Sequence, residues 1–285
     1  MVEQILNWFD QGYQRRSCVR KFGNRAYLHQ MQPFSLIEDH ETNIAALLEI
    51  NLKVTRAHLL NQSIIQEADL PPGFDFGTKI FVWPYNRFGH SIRDEGVAHL
   101  FYSSRQQMLV LSFTGTCSLP YWLNNLRFWS TSLHKLDAKC ASDMQVHSGF
   151  LDLYLLVRDY LWFYWHEFKD AVTELVLTGH SLGAAMATLA AYDFADRCPL
   201  LYAFASPRVG NQAFIDRLVS LVPQSYLIAN IHDAIINLPR PNMILAAYAH
   251  LPTQILFARN YSTPQERHVH AYYDEFVQSK LKYVQ

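Results

Sequence analysis

Apolar residues recur along the chain at two different spacings, and the change between them falls near residue 78. Before it, leucine and isoleucine recur at helical spacing at Ile44, Leu47, Leu48, Leu52 and Leu59. After the breaker LPPGFDFG (70–77), strand-like runs alternate with helical stretches. The predicted strands are GVAHLFYSS, QMLVLSFTG, ELVLTG, LLYAFAS and SYLIANI, and the predicted helices lie near 119–129, 150–168, 182–197 and 211–221. This alternation predicts an α/β fold with a mostly parallel sheet covered by helices.

We expect one domain over residues 1–285, made of a helical segment (1–78) and a core (79–285). The formal net charge of −1 gives no reason to expect nucleic acid as a partner. The most apolar window, Leu151 to Phe168, contains charged residues, so it predicts a buried amphipathic helix and no transmembrane segment. Because no signal peptide is recognisable, we expect a cytoplasmic protein, with non-classical secretion or peripheral membrane contact left open.

The four cysteines show neither C-x-x-C pairing nor histidines at zinc-binding spacing, which favours free thiols and no metal: Cys18, Cys117, Cys140 and Cys198. Oligomeric state is left open.

The segment LTGHSLGAAM (177–186) carries the strongest signal for chemistry. Ser181 stands between Gly179 and Gly183, where a short aliphatic strand runs into a helix rich in alanine. A nucleophile elbow needs this strand–turn–helix context, and side chains at the two glycine positions would collide with the neighbouring strand and helix. The helix N-terminus supplies backbone N–H groups toward an oxyanion. The alternative is a tight β–α turn without chemistry.

A nucleophilic serine needs a base, and the base needs an orienting carboxylate. On such a sheet the chain order is serine, acid, histidine. Asp233 directly follows a predicted strand, whereas the other carboxylates after Ser181 and before the last histidines fall on predicted helices: Asp193, Asp196 and Asp216. Three histidines come later, His250, His268 and His270.

With these residues assembled, the chain resembles the class 3 lipase family, the fungal-lipase-like branch of the α/β-hydrolases. The segments that carry the resemblance are LVLSFTGT (109–116), VHSGFLDLY (146–154), LVLTGHSLGAAMATLAA, FASPRVGNQAF, IHDAIINLP, YAHLPTQILF and HVHAYYDEF. Three positions depart from the family pattern: Thr114 replaces an arginine, and Ala205 and Pro252 each replace a glycine.

The resemblance implies an α/β-hydrolase fold with Ser181 as nucleophile, Asp233 as acid and His270 as base, and His268 is the competing candidate for the base. It implies an oxyanion hole made by Thr116 and the N–H of Leu182, and structural roles for the remaining histidines near these motifs: His147, His180 and His250. No cofactor is implied.

The helix predicted after Thr116 has one apolar stripe, made by Leu119, Trp122, Leu123, Leu126 and Trp129. In the family a lid lies at this position (117–130 here), which would cover an acyl-binding cleft; a permanently buried helix is the alternative. The implied activity is hydrolysis of lipid esters, first of all triacylglycerols, at a lipid–water interface. The alternatives are a phospholipase A1, a feruloyl-type esterase and a non-catalytic interaction protein.

Overall fold

The computed structural model describes residues 45–48, 50–51, 73–81, 96–114, 130–239, 247–272 and 275. The strands are β1 (Phe76–Phe81), β2 (Gly96–Ser103), β3 (Met108–Phe113), β4 (Ser130–Ser132), β5 (Gln145–His147), β6 (Glu174–His180), β7 (Leu200–Phe204), β8 (Gly210–Asn211), β9 (Ser225–Asn230), β10 (Tyr248–Ala249) and β11 (Gln254–Phe257). The helices after β5 are α1 (Ser148–Phe168), α2 (Leu182–Asp193), α3 (Gln212–Leu221), α4 (Pro264–His268) and α5 (His270–Tyr272). Most of the predicted segment 1–78 and the whole predicted lid helix (119–129) lie outside the described residues.

Seven strands form the central sheet in the order β1-β2-β3-β6-β7-β9-β11. The pairs β1–β2 and β2–β3 are antiparallel, and every later pair is parallel. The middle strands bury both faces, which is why β3 and β6 are near-continuous apolar runs in the sequence. The predicted α/β-hydrolase architecture, with a mostly parallel sheet flanked by helices, is confirmed.

Each face of the sheet has its own apolar core. On one face α1, α2 and α3 pack against side chains such as Leu111, Leu177 and Leu227. On the other face, helical residues 45–48 and 50–51, here called the N-terminal helix, pack with Tyr272 of α5 against the intervening side chains of the same strands. Helix α2 is buried from Leu182 to Tyr192, because it lies between the sheet and α1.

A row of polar side chains interrupts the second core. Asn51 of the N-terminal helix accepts a hydrogen bond from Ser112 Oγ (2.6 Å) and donates one to Thr178 Oγ1 (3.0 Å). Thr178 in turn donates to the carbonyl of Tyr202 (2.9 Å). Each bond is buried, so the N-terminal helix is attached to two neighbouring strands, β3 and β6, by polar contacts as well as apolar ones.

A second sheet has the order β10-β8-β5-β4. Its strands have two or three residues each, too few to show a periodic pattern, and the sequence did not predict them. At the end of β5, His147 caps α1, because its Nδ1 accepts hydrogen bonds from the backbone N–H groups of Gly149 and Phe150. Among the described helices, none has the length and apolarity to cross a bilayer.

Candidate active site

Ser181 occupies the sharp turn between β6 and α2. Its backbone has φ 60° and ψ −121°, a conformation that is rare for a residue with a side chain. The Ser181 N–H donates to the carbonyl of Phe204 on β7 (2.9 Å), and its carbonyl accepts from Ala184 N–H in the first turn of α2 (3.1 Å). Only 2% of the residue is exposed. This is the strained geometry of a nucleophile elbow.

Gly179 and Gly183 allow the elbow to close. A Cβ atom on Gly179 would lie 2.3 Å from the carbonyl carbon of Gly183, and one on Gly183 would lie 2.3 Å from the carbonyl oxygen of Phe113 on β3. Both contacts are with backbone, which cannot move aside as a flexible side chain can. The sequence-based reason for these glycines therefore agrees with the structure.

Asp233 lies in the turn after β9, and its imidazole partner is His268. The distance from His268 Nδ1 to Asp233 Oδ2 is 2.7 Å, and the two residues are 3% and 1% exposed. Among the described side chains, the imidazole that contacts Asp233 therefore belongs to His268, the competing candidate for the base; the side chain of the first candidate, His270, lies outside the described residues.

Helix α4 determines where His268 lies. Thr263 and Glu266 form a capping box with Pro264 at the helix start, and this fixes the single turn that ends at His268. The capping pattern T-P-x-E is visible in the sequence. It was the signal that could have favoured His268.

Two further donors converge on the Asp233 carboxylate. The N–H of Ile235 donates to Oδ1 (2.9 Å), and the hydroxyl of Tyr272 donates to Oδ2 (3.1 Å). Burial and the charge of Asp233 raise the pKa of Tyr272 well above its ordinary value, so its phenol keeps the proton that it donates. Sequence reasoning missed Tyr272, because no local pattern links it to Asp233.

The other nitrogen of His268, Nε2, is buried and makes no hydrogen bond to any residue that the structure describes. Its ring lies beside His180, the residue before Ser181, with ring centroids 4.7 Å apart. His180 Nε2–H donates to the backbone carbonyl of His268 (2.9 Å). Burial, followed by the nearby His268, lowers the pKa of His180 to about 3, so His180 is a neutral donor that holds the base segment against the elbow.

The other two histidines have contacts that fit the structural roles expected of them. Burial lowers the pKa of His147, the cap of α1, to about 4. His250 Nε2–H donates to the carbonyl of Ile236, and burial also lowers the pKa of His250 to about 4. Neither histidine has a described contact with Ser181 or Asp233.

The predicted oxyanion hole is described only in part. Leu182 is the first residue of α2, so its N–H belongs to the unpaired N-terminal turn of that helix. Thr116 lies outside the described residues, as do the predicted lid residues Leu119, Trp122, Leu123 and Leu126. Thr114 leaves β3 beside the elbow, since its carbonyl carbon would lie 3.0 Å from a Cβ on Gly183.

The three departures from the family pattern differ in their surroundings. Thr114 is buried, and its hydroxyl has no hydrogen-bond partner among the described residues. Ala205, where the family has glycine, has φ 52°, so alanine adopts the left-handed conformation for which glycine is favoured. Pro252 is exposed. Among the described residues there is no group of three or more histidine, cysteine, aspartate or glutamate side chains arranged to hold a metal.

Curated relatives share part of this chain. Phospholipase A(1) DAD1 of Arabidopsis thaliana is 36% identical over 150 residues, which cover 46% of this chain and 33% of that protein. Secreted mono- and diacylglycerol lipase A of Penicillium cyclopium is 31% identical over 172 residues, which cover 58% of this chain and 52% of the relative. The chain thus spans about a third to a half of the length of these curated relatives.

Solved structures with a similar fold include two fungal lipases. The triacylglyceride lipase of Rhizomucor miehei superposes with a TM-score of 0.61 at 21% identity, covering 80% of this chain and 83% of that one. The mono- and diacylglycerol lipase of Aspergillus oryzae gives 0.59 at 21% identity with the same coverage. At these identities the likeness shows the α/β-hydrolase fold. The family model of Lipase (class 3) matches residues 110–243, which include the nucleophile elbow and Asp233, so the resemblance to that family that the sequence predicts is confirmed.

Proposed function

We propose that the protein is a serine carboxylic-ester hydrolase that acts on lipids, with Ser181 as nucleophile, His268 as base and Asp233 as the orienting acid. The observation that carries this proposal is the 2.7 Å contact between His268 and Asp233, formed beside a strained Ser181 turn. Those two features lie in segments far apart in the chain. A glycine-rich turn without chemistry requires no buried acid–imidazole pair next to it.

The proposed reaction has two halves. His268 Nε2 takes the proton from Ser181 Oγ while Oγ attacks the ester carbonyl carbon, and the carbonyl π electrons move to oxygen. When the tetrahedral intermediate collapses, the C–O bond to the alcohol breaks and Nε2–H protonates the leaving oxygen. Water then attacks the acyl-enzyme with the same proton transfers, and the carboxylic acid leaves. Asp233 holds Nδ1–H throughout, which keeps the lone pair on Nε2.

We assign the stabilisation of the oxyanion to the N-terminus of α2. The Leu182 N–H and the partial positive charge of the helix end favour negative charge next to Ser181. We assign the second donor to Thr116, which follows β3 after Thr114 and Gly115. The support for this assignment is that β3 ends beside the elbow at Phe113, three residues before Thr116 in the chain.

The substrate class is proposed from the relatives together with the sequence. Glycerolipid esters are the first candidate, because relatives are named mono- and diacylglycerol lipases. A phospholipid is the second, because a relative at 36% identity is named a phospholipase A1. Use of a lipid–water interface rests on the apolar stripe of the predicted lid helix, which would turn Trp122 and Trp129 outward at a lipid surface.

The deciding experiment measures hydrolysis of a panel of glycerolipid, phospholipid and soluble esters, with the triglyceride raised through its solubility limit. Wild-type protein should hydrolyse at least one lipid ester and react covalently with a fluorophosphonate probe. Ser181→Ala should lose about 10⁶-fold in kcat and all labelling. The control is Ser225→Ala, a buried serine whose hydroxyl donates to the carbonyl of Val222, away from the triad.

Two outcomes would contradict the proposal. Wild-type protein that neither hydrolyses the panel nor reacts with the probe would favour a non-catalytic interaction protein. A Ser181→Ala variant that keeps a tenth of the wild-type rate would remove the nucleophile assignment.

The lid is tested separately. A rate that saturates smoothly as the triglyceride passes its solubility limit would contradict the lid and favour a soluble-ester esterase.

A further inference from the structure

Asn230, the last residue of β9, is a hydrogen-bonding centre between the segments that carry the acid and the base. Its side chain uses its full hydrogen-bonding capacity. Nδ2 donates to the carbonyls of Arg259 (2.9 Å) and Arg267 (3.0 Å), and Oδ1 accepts from the N–H groups of Arg259 (3.1 Å) and His232 (3.3 Å). The residue has no exposed surface. An amide this fully bonded has a single orientation.

The backbone of Asn230 extends the same network to the acid. Its carbonyl accepts from Asp233 N–H (2.9 Å), which closes the turn that carries the carboxylate. Its N–H donates to the hydroxyl of Tyr272 (2.9 Å), and Tyr272 donates onward to Asp233 Oδ2. Through its main chain, Asn230 therefore contacts the acid turn directly and also through a second donor.

The side chain makes the connection to the base. Arg267, whose carbonyl Nδ2 holds, directly precedes His268 and lies in the same single-turn helix α4. Arg259 follows β11, at the start of the loop that leads to this helix. A helix of one turn has little stability of its own, so contacts outside it must determine where its last residue lies.

We propose that Asn230 is a positioning residue that sets the distance between Asp233 and His268. The expected loss of kcat rests on the proposed function, whereas the expected change in the distance between Asp233 and His268 does not. Without the amide, two carbonyls and two N–H groups lose these partners at a partly buried site, and α4 loses its link to Asn230, the residue whose carbonyl closes the acid turn. A displacement of about 1 Å in a catalytic group can cost about 10²-fold in rate.

The test compares Asn230→Ala with Asn211→Ala. Asn211 is a matched control, because its Oδ1 also accepts from two backbone N–H groups, those of Gln145 and Phe214, and its Nδ2 donates to the carbonyl of Asp143. It joins β5 to α3, away from the acid and base. Both variants should lose thermal stability. Only Asn230→Ala should lose about 10²-fold in kcat with KM nearly unchanged, and the rate of fluorophosphonate labelling should fall with it.

A second readout does not need turnover. The proton that His268 Nδ1 shares with Asp233 should give a far-downfield proton NMR resonance, which should persist in Asn211→Ala and disappear or shift in Asn230→Ala. Asn230→Asp, which keeps the shape and replaces the donor by an oxygen facing two carbonyls, should behave like Asn230→Ala. If wild-type protein shows the resonance but hydrolyses no ester, the proposed function is refuted. The positioning role of Asn230 is then tested only by comparing the resonance in the Asn230 and Asn211 variants.

The inference is overturned if folded Asn230→Ala keeps kcat within about threefold and retains the wild-type resonance. It is also overturned if both Asn230 variants fail to fold while Asn211→Ala folds, because the role of Asn230 would then be structural.

Discussion

The hydrogen bond between His268 and Asp233 determines which nitrogen of the imidazole is available to take a proton. A carboxylate only accepts, so Nδ1 carries the hydrogen in the 2.7 Å contact and the lone pair of the neutral ring is on Nε2. That nitrogen makes no hydrogen bond to the described part of the chain.

We predict that His268→Ala matches Ser181→Ala, with a loss of about 10⁶-fold in kcat, because His268 is the imidazole that contacts Asp233 in the described part of the chain. His270→Ala serves as the comparison and should keep most of the wild-type rate. Steady-state hydrolysis of a soluble ester by both folded variants measures this. If His270→Ala is the inactive variant and His268→Ala is active, the assignment of the base is reversed.

The site could be predicted from the sequence where its signals are local. Ser181 lies in a short motif with its glycines, and Asp233 directly follows a strand, so both positions could be inferred before the fold was known. The choice between His268 and His270 depends on where a one-turn helix ends. Tyr272 and Asn230 could not be found, since the contacts that connect them to the acid and base segments include partners between 29 and 42 residues away in the chain.

At the scale of elements, the carboxylate of Asp193 links the elbow helix α2 to α1 by hydrogen bonds and an ion pair. Asp193 at the C-terminal end of α2 accepts two hydrogen bonds from the Arg158 guanidinium (2.9 Å each), one from Tyr154 (2.8 Å) and one from Trp162 Nε1 (2.8 Å). The Asp193 side chain is 6% exposed, so it depends on these donors for its solvation. This network explains why α1 has an arginine within an otherwise apolar window.

We predict that Asp193→Ala lowers the free energy of unfolding by about 3 kcal/mol, because Arg158 is left half-buried without its partner. The kcat should change little, since the network is at the end of α2 away from Ser181. Urea unfolding followed by circular dichroism measures the loss. Asp196→Ala is the control: its ion pair with Arg197 is exposed, and its loss should cost less than about 1 kcal/mol. Equal losses in both variants would contradict the prediction.

Helices and strands were predictable to the extent that their burial is periodic. Of the predicted helices, α1 and α3 begin and end within two residues of expectation, whereas α2 ends at Asp193 and a separate 3₁₀ turn covers Ala195–Arg197. The five predicted strands all occur, as β2, β3, β6, β7 and β9. The edge strands β1 and β11 were not predicted, because β11 is half-exposed and β1 falls beside the breaker that divides the chain.

At the scale of the whole molecule, three neutral histidines, one buried and two partly buried, make stability depend on pH. The pKa values of His147 and His250 are lowered by burial to about 4, and that of His180 to about 3. In the unfolded chain these groups titrate near 6.5. Between about pH 6.5 and 4 the unfolded state therefore binds more protons than the folded state, and stability rises with pH in that window.

We predict that the free energy of unfolding falls as pH is lowered from about 6.5 to 4, by up to about 1.4 kcal/mol per pH unit for each histidine, and that above pH 6.5 these groups add no slope. His147→Asn should reduce the slope, because asparagine can still cap α1 but does not titrate. Urea unfolding at several pH values measures this, with the exposed His166→Asn as control. A His147→Asn variant with the full wild-type slope would show that His147 does not contribute.

The hydrogen bonds that join Asn51 to Ser112 and Thr178 affect where a fragment of this protein can begin. The match to the family model begins at Val110, in the middle of β3. A fragment started there would lack the strand beside β3 and the helix that covers Val110, Val176 and Ile228. It would present an open strand edge next to a bare apolar surface, the combination that drives chains to aggregate. The boundary of sequence similarity is therefore not a folding boundary, and an expressible catalytic fragment has to begin before residue 45.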